Sequence, residues 1–246
     1  MNKAIFTIKS NQKIAKDVFE MQLCGDTSEV KASGQFVNIK LDGKFLRRPI
    51  SICDYKDGKE DGKLTLIYKV VGGGTDQMSQ MTAGETLDLL VCLGNGFDTS
   101  KSGDTPLLIG GGVGVPPMFN LAKRLISEGK KVSVILGFGS NSEVFYREQF
   151  EKIGASVAVT TVDGSCGTKG FVTNAMDIPY SYFFTCGPEA MLKAIFSVAK
   201  TSGQLSFEER MGCGFGGCMG CSCKTIYGNK RICVEGPVLE KEEILW

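Results

Sequence analysis

The chain has 246 residues and a formal net charge of +1, with 42% hydrophobic and 22% charged residues. This composition is typical of a globular protein, and the absence of a long basic run gives no support for nucleic-acid binding. No apolar run approaches the roughly 20 residues that cross a bilayer, so no membrane span is expected. Histidine is absent, which excludes Rieske centres, histidine-ligated haem and histidine-bearing catalytic triads.

Residues 1–100 are predicted to form an antiparallel β-barrel. Short alternating runs at 4–9, 18–23, 36–41, 64–71 and 86–92 are separated by turns rich in Gly, Asp and Lys. Strands at this spacing are typical of a small barrel. The segment 75–81 is predicted to be a short helix with Thr75 as its N-cap.

Residues 101–204 are predicted to form an α/β domain. Strands are expected at 106–110, 131–136, 156–161 and 182–186, and helices at 116–128, 143–153 and 189–200. This alternation predicts a parallel sheet covered by helices on both faces. The expected fold class is therefore multi-domain, β followed by α/β, with a small module at 205–246.

The module at 205–246 is predicted to bind a [2Fe-2S] cluster. Cys213, Cys218 and Cys221 have the spacing C-x4-C-x2-C, and Cys233 follows at a distance, as in plant-type centres. Glycines in this loop allow a short chain to wrap a cluster and turn N–H groups toward sulfur. The alternative is a structural zinc site, which usually shows two separated Cys-x2-Cys pairs, whereas here only Cys218 and Cys221 form one.

The cysteine content also indicates a cellular compartment. The chain has ten cysteines, and its N-terminus alternates like a strand without the apolar core of a signal peptide. Metal binding is therefore favoured over a disulfide framework, and a cytoplasmic location is expected. The cysteines outside the cluster module are expected to be small buried residues.

Two segments suggest a dinucleotide site. The motif GGGVGVPP at 110–117 follows a predicted strand and opens a helix, which suits a pyrophosphate at Gly111, Gly112, Gly114 and Pro117. A tight strand-to-helix turn without a ligand is the alternative. Cys186, Gly187 and Pro188 stand at a second strand end, where Cys186 would face a nicotinamide ring. Its alternative is a small residue that ends a buried strand.

The barrel half contains residues suited to a flavin nucleotide. Arg48 suits a pyrophosphate because a guanidinium binds phosphate oxygens in a forked geometry. Ser51 suits the flavin ring edge, Tyr68 could stack or donate through its hydroxyl, and the Gly74 and Thr75 amides suit a phosphate. Taken singly, Arg48 could also be a solvated strand charge and Tyr68 a core aromatic residue.

Taken together, RPIS, IYK, GGGT, GGGVGVPP, CGPEAML and CGFGGCMGCSC occur here in one order. That order resembles the ferredoxin–NADP reductase superfamily, and within it the electron-transfer subunits of NAD-dependent dihydroorotate dehydrogenase B. The resemblance implies FAD, one [2Fe-2S] cluster, NAD(H) and a separate FMN-containing catalytic subunit, with two copies of each chain, in pyrimidine (UMP) biosynthesis. It implies that FAD is held by Arg48, Pro49, Ile50, Ser51, Ile67, Tyr68, Lys69, Gly74 and Thr75, and that Cys213, Cys218, Cys221 and Cys233 ligate the cluster.

Two departures from the family pattern matter. Cys223 is an extra thiol in the cluster loop, and Cys166 stands where an aromatic residue is expected on the nicotinamide side. Four thiolates saturate a two-iron cluster, so Cys223 is predicted not to be a ligand. NAD is favoured over NADP because the loop at 137–142 has no Arg or Lys for a 2′-phosphate.

Two other functions remain open at this point. One is the small subunit of an NADH-dependent ferredoxin:NADP oxidoreductase or sulfide dehydrogenase. Cys213 at the first ligand position disfavours it, and the Cys-Ser-Cys at 221–223 keeps it open. The other is a redox sensor whose cluster only signals, against which the two dinucleotide-type segments argue.

Overall fold

The structure is a computed structural model that describes residues 2–246, and its first half is a barrel. The strands are β1 (Asn2–Ala15), β2 (Val18–Cys24), β3 (Phe36–Ile39), β4 (Arg48–Lys56), β5 (Lys63–Lys69) and β6 (Thr86–Leu93). They close in the order β1-β2-β5-β4-β3-β6, and every neighbouring pair is antiparallel. The predicted antiparallel barrel is confirmed.

Alternation along the strands decides which residues fill the barrel. In β3, Val37 and Ile39 belong to the barrel core, whereas Phe36 packs in a different apolar cluster outside it. This is the two-residue period of a strand, which sends successive side chains to opposite faces. Tyr68 of β5 also points inward and is almost fully buried.

One short helix, α1 (Gly73–Ser79), follows the barrel strand β5. The prediction that Thr75 is its N-cap is wrong, because the helix begins two residues before it. The Thr75 hydroxyl accepts hydrogen bonds from the backbone N–H groups of Val71 (2.9 Å) and Gly72 (3.3 Å). Thr75 lies in the first turn of the helix, and from there its side chain holds the segment that leads into the helix.

The second half is a seven-stranded sheet with helices. Its elements are β7 (Leu107–Gly111), α2 (Val115–Ser127), β8 (Ser133–Phe138), α3 (Arg147–Lys152), β9 (Ser156–Thr161), β10 (Thr168–Lys169), β11 (Phe183–Cys186), α4 (Glu189–Val198) and β12 (Gly203–Ser206). A hairpin of β13 (Ser222–Thr225) and β14 (Gly228–Arg231) follows, and β15 (Val238–Glu240) then returns to the sheet. The order is β10-β9-β8-β7-β11-β12-β15, parallel except for β15.

Helices cover both faces of this sheet, as predicted. Leu108 of β7 belongs to the apolar cluster that contains α2 and Phe150 of α3, whereas Leu107 and Ile109 belong to the cluster that contains α4. None of the helices described within residues 2–246 is long and apolar enough to cross a membrane.

Helix α3 is shorter than the predicted 143–153. Tyr146, the residue before it, has a left-handed backbone (φ 66°), which separates the helix from a 3-10 turn at Asn141–Glu143. The Tyr146 hydroxyl donates to Glu20 Oε2 of β2 (2.9 Å). This bond to the barrel is a tertiary contact, which helical periodicity alone does not reveal.

The barrel and the sheet are joined by polar contacts as well as by apolar packing. Asp54 of β4 accepts hydrogen bonds from Lys123 Nζ (2.6 Å) and Asn120 Nδ2 (2.9 Å), both on α2. Strand β4 is thus held against the helix that follows β7. The strand with the predicted flavin residues is thereby fixed relative to the strand with the predicted pyrophosphate turn.

The predicted domain limits, 1–100, 101–204 and 205–246, stay predictions. Strand β12 crosses the second limit, and β15, inside the predicted cluster module, completes the sheet of the α/β domain. The segment between β12 and β15 thus leaves the sheet, forms the cysteine loop and the hairpin, and returns.

Candidate functional site

The predicted cluster thiols lie in two pairs. Cys213 Sγ accepts hydrogen bonds from the backbone N–H groups of Gly217 (3.2 Å) and Cys218 (3.4 Å), and Cys218 Sγ accepts one from the Cys213 N–H (3.5 Å). Cys221 Sγ accepts a hydrogen bond from the Cys233 N–H (3.4 Å). The first pair is in the open loop, whereas Cys221 and Cys233 are buried.

This donor set fits a two-iron cluster, in which each iron takes two thiolates. Thiolates are the form that binds metal, and the loop favours that form at Cys213. Desolvation raises the pKa of this thiol, but the hydrogen bonds from backbone N–H groups and from Cys218 outweigh it and lower the pKa to about 6. Among the side chains of residues 2–246, no group of three or more His, Cys, Asp or Glu is placed so that it could hold a single metal ion.

Cys223, the extra thiol of the loop, lies on β13. Its thiol donates to the Lys224 carbonyl at 3.8 Å, and burial raises its pKa. The assignment of Cys213, Cys218, Cys221 and Cys233 as ligands, with Cys223 excluded, stays a prediction.

An arginine that the sequence reasoning missed holds the cluster loop. Arg231 of β14 donates from Nη1 to the Gly216 carbonyl (3.0 Å) and from Nε to both carboxylate oxygens of Glu235 (3.0 and 3.1 Å). Its side-chain hydrogen bonds lower the pKa of Glu235 to about 2. Gly216 lies between the first two cysteines, so this ion pair fixes the loop that carries them. The Arg-x3-Glu spacing was its only signal in the sequence.

The two predicted dinucleotide segments meet at the carboxyl edge of the sheet. Strands β7 and β11 are parallel neighbours, with Cys186 beside Gly110. A Cβ added to Gly114 would lie 2.1 Å from the Cys186 carbonyl oxygen, so only glycine permits this approach. Gly112 has φ +52°, and the space around its Cα is open. The turn therefore exposes backbone beside Cys186, as a pyrophosphate next to a nicotinamide requires.

Cys186 itself has the character of a neutral small group. Burial raises the pKa of its thiol to about 12, and the hydrogen bond with Ser206 only partly offsets this. The thiol therefore stays protonated near neutral pH. Gly111, Gly112, Gly114, Pro117, Cys186, Gly187 and Pro188 remain the predicted NAD-binding residues.

In the barrel, Arg48 lies across the start of α1. A Cβ added to Gly74 would lie 2.2 Å from Arg48 Nε, and Arg48 Nη1 donates to the Leu46 carbonyl (2.6 Å). The guanidinium thus stands beside the first amides of the helix. Both groups attract anions, so the arrangement fits the predicted flavin pyrophosphate.

The side chains of β5 divide between two faces. The Tyr68 hydroxyl donates to Asn11 Oδ1 (2.9 Å) inside the barrel, and burial raises its pKa to about 12. Tyr68 is thus the core aromatic residue of the alternative reading, and only its backbone can face a cofactor outside the barrel. Ile67 packs toward the α/β domain, and Lys69 Nζ lies 3.7 Å from Glu143 Oε1.

Pro49 and Ser51 of β4 face away from the barrel core. In the β3–β4 ladder, Pro49 is directly opposite Asn38 and Ser51 is opposite Phe36. Paired residues share a face of the sheet, and Phe36 packs in the same apolar cluster as Cys221 and Cys233. The predicted flavin strand and the predicted cluster module therefore lie side by side on one outer face of the barrel.

Two family models match the chain. Residues 208–245 match the iron-sulfur cluster binding domain of dihydroorotate dehydrogenase B, and residues 108–196 match the oxidoreductase NAD-binding domain. The predictions of an iron–sulfur cluster and of NAD as cofactors are confirmed.

Similar proteins cover the full chain. It is 44% identical to the dihydroorotate dehydrogenase B (NAD(+)) electron transfer subunit of Bacillus pumilus, over 99% of this chain and 98% of the relative. It is 41% identical to the subunit of that name in Fusobacterium nucleatum, over 94% of each chain.

Solved structures share the fold. A structure of NADH-dependent reduced ferredoxin-NADP oxidoreductase, described with flavin-based electron bifurcation, is similar at TM-score 0.87 and 30% identity, over 98% of this chain and 90% of the other. A ferredoxin NADP+ reductase from Neisseria gonorrhoeae has TM-score 0.68 at 16% identity, over 80% of this chain and 90% of the other. The predicted fold class is confirmed.

Proposed function

The chain belongs to the family of dihydroorotate dehydrogenase B electron transfer subunits, and on this premise we propose that it passes electrons between NAD(H) and a catalytic dihydroorotate dehydrogenase subunit. FAD, the [2Fe-2S] cluster and the partner's FMN supply the one- and two-electron chemistry when bound. The pathway is pyrimidine (UMP) biosynthesis in the cytoplasm, and the assembly has two copies of each chain.

The observation that carries the proposal is the packing of the cluster module on the barrel. Phe36 of β3 and Leu93 of β6 belong to the same apolar cluster as Cys221 and Cys233. The buried thiol pair thus stands against the barrel wall whose neighbouring strand carries Pro49 and Ser51. Two redox groups held at these places would be close and shielded from water.

The chain's own residues would bind and position the cofactors. Arg48 and the first amides of α1 would hold the FAD pyrophosphate, and the Gly112–Gly114 turn would hold the NAD pyrophosphate. Cys186 would lie beside the nicotinamide. No side chain has to move a proton for dihydroorotate oxidation, since that chemistry belongs to the catalytic subunit.

The docking surface for the catalytic subunit is the rim of the cluster loop. Phe215 and Met219, at 50% and 53% exposure, are apolar side chains on this loop, and Val234 beside it is 42% exposed. Exposed apolar side chains that cluster in this way are typical of interaction sites. Electron transfer to the partner requires a short distance from the cluster, which this rim provides.

The first experiment compares the chain alone with the chain plus its catalytic subunit. Alone, it should reduce dyes with NADH and should not oxidise dihydroorotate. Together, the two chains should form a complex that couples dihydroorotate oxidation to NAD+ reduction. A chain that does not bind the catalytic subunit would contradict the proposal.

The second experiment tests the rim. Phe215→Glu and Met219→Glu should abolish the coupled reaction and leave NADH–dye activity intact. Val198→Glu, at a half-exposed position at the end of α4, is the matched control and should leave both activities intact. If the rim only shields the cluster, both activities would fall together in the rim variants.

A second candidate function is favoured by the 30% identity to NADH-dependent reduced ferredoxin-NADP oxidoreductase and by the Cys-Ser-Cys at 221–223. The same complex-formation experiment distinguishes the two, because this candidate predicts reduction of ferredoxin rather than dihydroorotate-dependent NAD+ reduction.

A further inference from the structure

Two cationic side chains lie side by side over consecutive glycines, and only one of them belongs to the predicted flavin site. A Cβ added to Gly74 would lie 2.2 Å from Arg48 Nε, and a Cβ added to Gly73 would lie 3.4 Å from Lys44 Nζ. The Cα atoms of consecutive residues are about 3.8 Å apart. The positive charges of Lys44, in the loop before β4, and of Arg48, at the start of β4, are therefore neighbours.

No carboxylate neutralises these two charges. Among the residues that the structure describes, neither Lys44 nor Arg48 forms an ion pair, whereas Arg47, which lies between them in the chain, pairs with Asp88 at 2.9 Å. Like charges that are close together repel each other, and the repulsion is removed when an anion lies beside both. The unpaired cations therefore indicate an anionic ligand.

The chain leaves room for a ligand beside these charges. Gly72 and Gly73 are exposed, and a Cβ added to Gly72 would meet no atom within 4 Å. Asp42, two residues before Lys44, and Asp76, three residues after Gly73, are the acidic residues nearest to these positions in the sequence. Both are exposed, and neither pairs with Lys44 in the structure. The space over the glycines is thus open and is bordered by positive charge.

We propose that Lys44 supplies the second positive charge of the FAD pyrophosphate site, beside Arg48. This inference rests on the proposed function. A pyrophosphate has two adjacent phosphates, each with a negative charge, so two adjacent cations match it better than one. The planar guanidinium of Arg48 suits the oxygens of one phosphate, and the ammonium group of Lys44, a mobile point charge, balances the charge of the other.

The experiment measures the affinity of the full-length protein for FAD by equilibrium dialysis, after its own flavin has been removed. Lys44→Gln removes the charge and keeps a side chain of similar shape. At low ionic strength this variant should bind FAD about three- to fivefold more weakly than wild type, a modest factor because Lys44 is exposed. The difference should shrink as salt is added, since salt screens exposed charges.

Two further variants separate the charge at this position from other effects. Lys44→Arg keeps the positive charge and should retain most of the wild-type affinity at low ionic strength. Lys40→Gln removes an exposed lysine next to the end of β3 and should leave the affinity for FAD unchanged. Lys40→Gln and Lys44→Gln change the net charge equally, so the comparison isolates the position of the charge.

The outcomes separate the two levels of inference. A wild-type protein that does not bind FAD would overturn the proposed function itself. A wild-type protein that binds FAD, with equal affinity in Lys44→Gln at low ionic strength, would overturn only the role of Lys44. The same role would be overturned if Lys40→Gln weakened binding equally, or if the loss in Lys44→Gln did not depend on salt.

Discussion

In the barrel, Arg48 stands on a strand of a closed antiparallel barrel with an apolar core, and Thr75 lies in the short helix that follows β5. In the cluster module, by contrast, the thiols of Cys213 and Cys218 stand on a loop without strand or helix. Between β12 and β15 the described strands of the module are those of one hairpin with four residues in each strand, and such a hairpin is marginally stable by itself. The barrel can therefore form its site before FAD binds. We expect the order of the module to depend on its cluster, because metal ligation is coupled to folding.

The largest effect is expected from substitution of the cluster cysteines. Serine at Cys213, Cys218, Cys221 or Cys233 should abolish the visible absorption of the cluster, since each removes one of four ligands. Cys223→Ser is the matched control from the same module and should keep the spectrum. A colourless Cys223→Ser protein beside an intact Cys233→Ser spectrum would reverse the assignment.

The same variants sharpen the comparison between the two regions. Loss of the cluster should make residues 207–235 sensitive to protease while the barrel stays resistant and keeps its FAD. Peptide mapping after limited proteolysis measures this. Equal loss of protection in both regions would show that the barrel also depends on the cluster.

The second effect concerns flavin retention. Arg48→Ala should weaken FAD binding by about 1.5–3 kcal/mol, roughly 10- to 150-fold, because a charge-assisted contact to phosphate is lost. Lys63→Ala, at the exposed first residue of the neighbouring strand β5, is the control. Equilibrium dialysis measures the affinity, and phosphodiesterase treatment identifies the released flavin. Recovery of FMN alone would refute FAD as the cofactor.

The third effect is smaller and compares two Arg–Glu pairs of the same i,i+4 spacing. Arg231→Gln removes the bonds to Gly216 and Glu235 and should destabilise the module modestly, because both side chains are about a third exposed and solvent screens the pair. Arg147→Gln breaks the more exposed surface pair with Glu151 and should leave the stability of the protein almost unchanged.

Iron release to a chelator measures the difference between these two variants. Arg231→Gln should release iron several-fold faster than wild type, and Arg147→Gln at the wild-type rate. Equal rates in the two variants would mean that the Arg231 bonds do not hold the loop.

The smallest expected effect is the contribution of Tyr68, in the barrel core, to the pH dependence of stability. The folded protein holds the Tyr68 proton up to a pKa of about 12, whereas the unfolded chain loses it near 10. The folded state therefore binds more protons between these values, and stability should fall as pH rises from about 10 to 12.

Tyr68→Phe should not show this pH dependence. At neutral pH its free energy of unfolding should be lower by about 0.5–1.5 kcal/mol, because the hydrogen bond to Asn11 is lost. Tyr227→Phe, exposed on the hairpin, should behave as wild type. Urea unfolding at pH 8 and pH 11 measures both. The same pH dependence in wild type and Tyr68→Phe would contradict a raised pKa at Tyr68.

Much of the fold was predictable because local patterns survive in the tertiary structure. Strand β9 was predicted at its observed limits, and the GGGVGVPP turn was predicted between a strand and a helix. One error was local: Thr75 lies inside the first turn of α1, where its hydroxyl accepts from the N–H groups of Val71 and Gly72. The other error lies at a long-range contact: Tyr146, whose hydroxyl donates to Glu20 in the barrel, has a left-handed backbone that interrupts the predicted helix.

By itself the sequence determined the barrel, the parallel sheet and the cysteine spacing, since hydrophobic period and ligand spacing are properties of neighbouring residues. Only the tertiary structure decided that the thiols form an open and a buried pair, and that Arg231 holds the loop. It also decided that Tyr68 turns into the barrel and that Lys44 lies beside Gly73. These facts depend on which distant segments are packed together, and residues 44 and 73 are brought together only by the folding of the barrel.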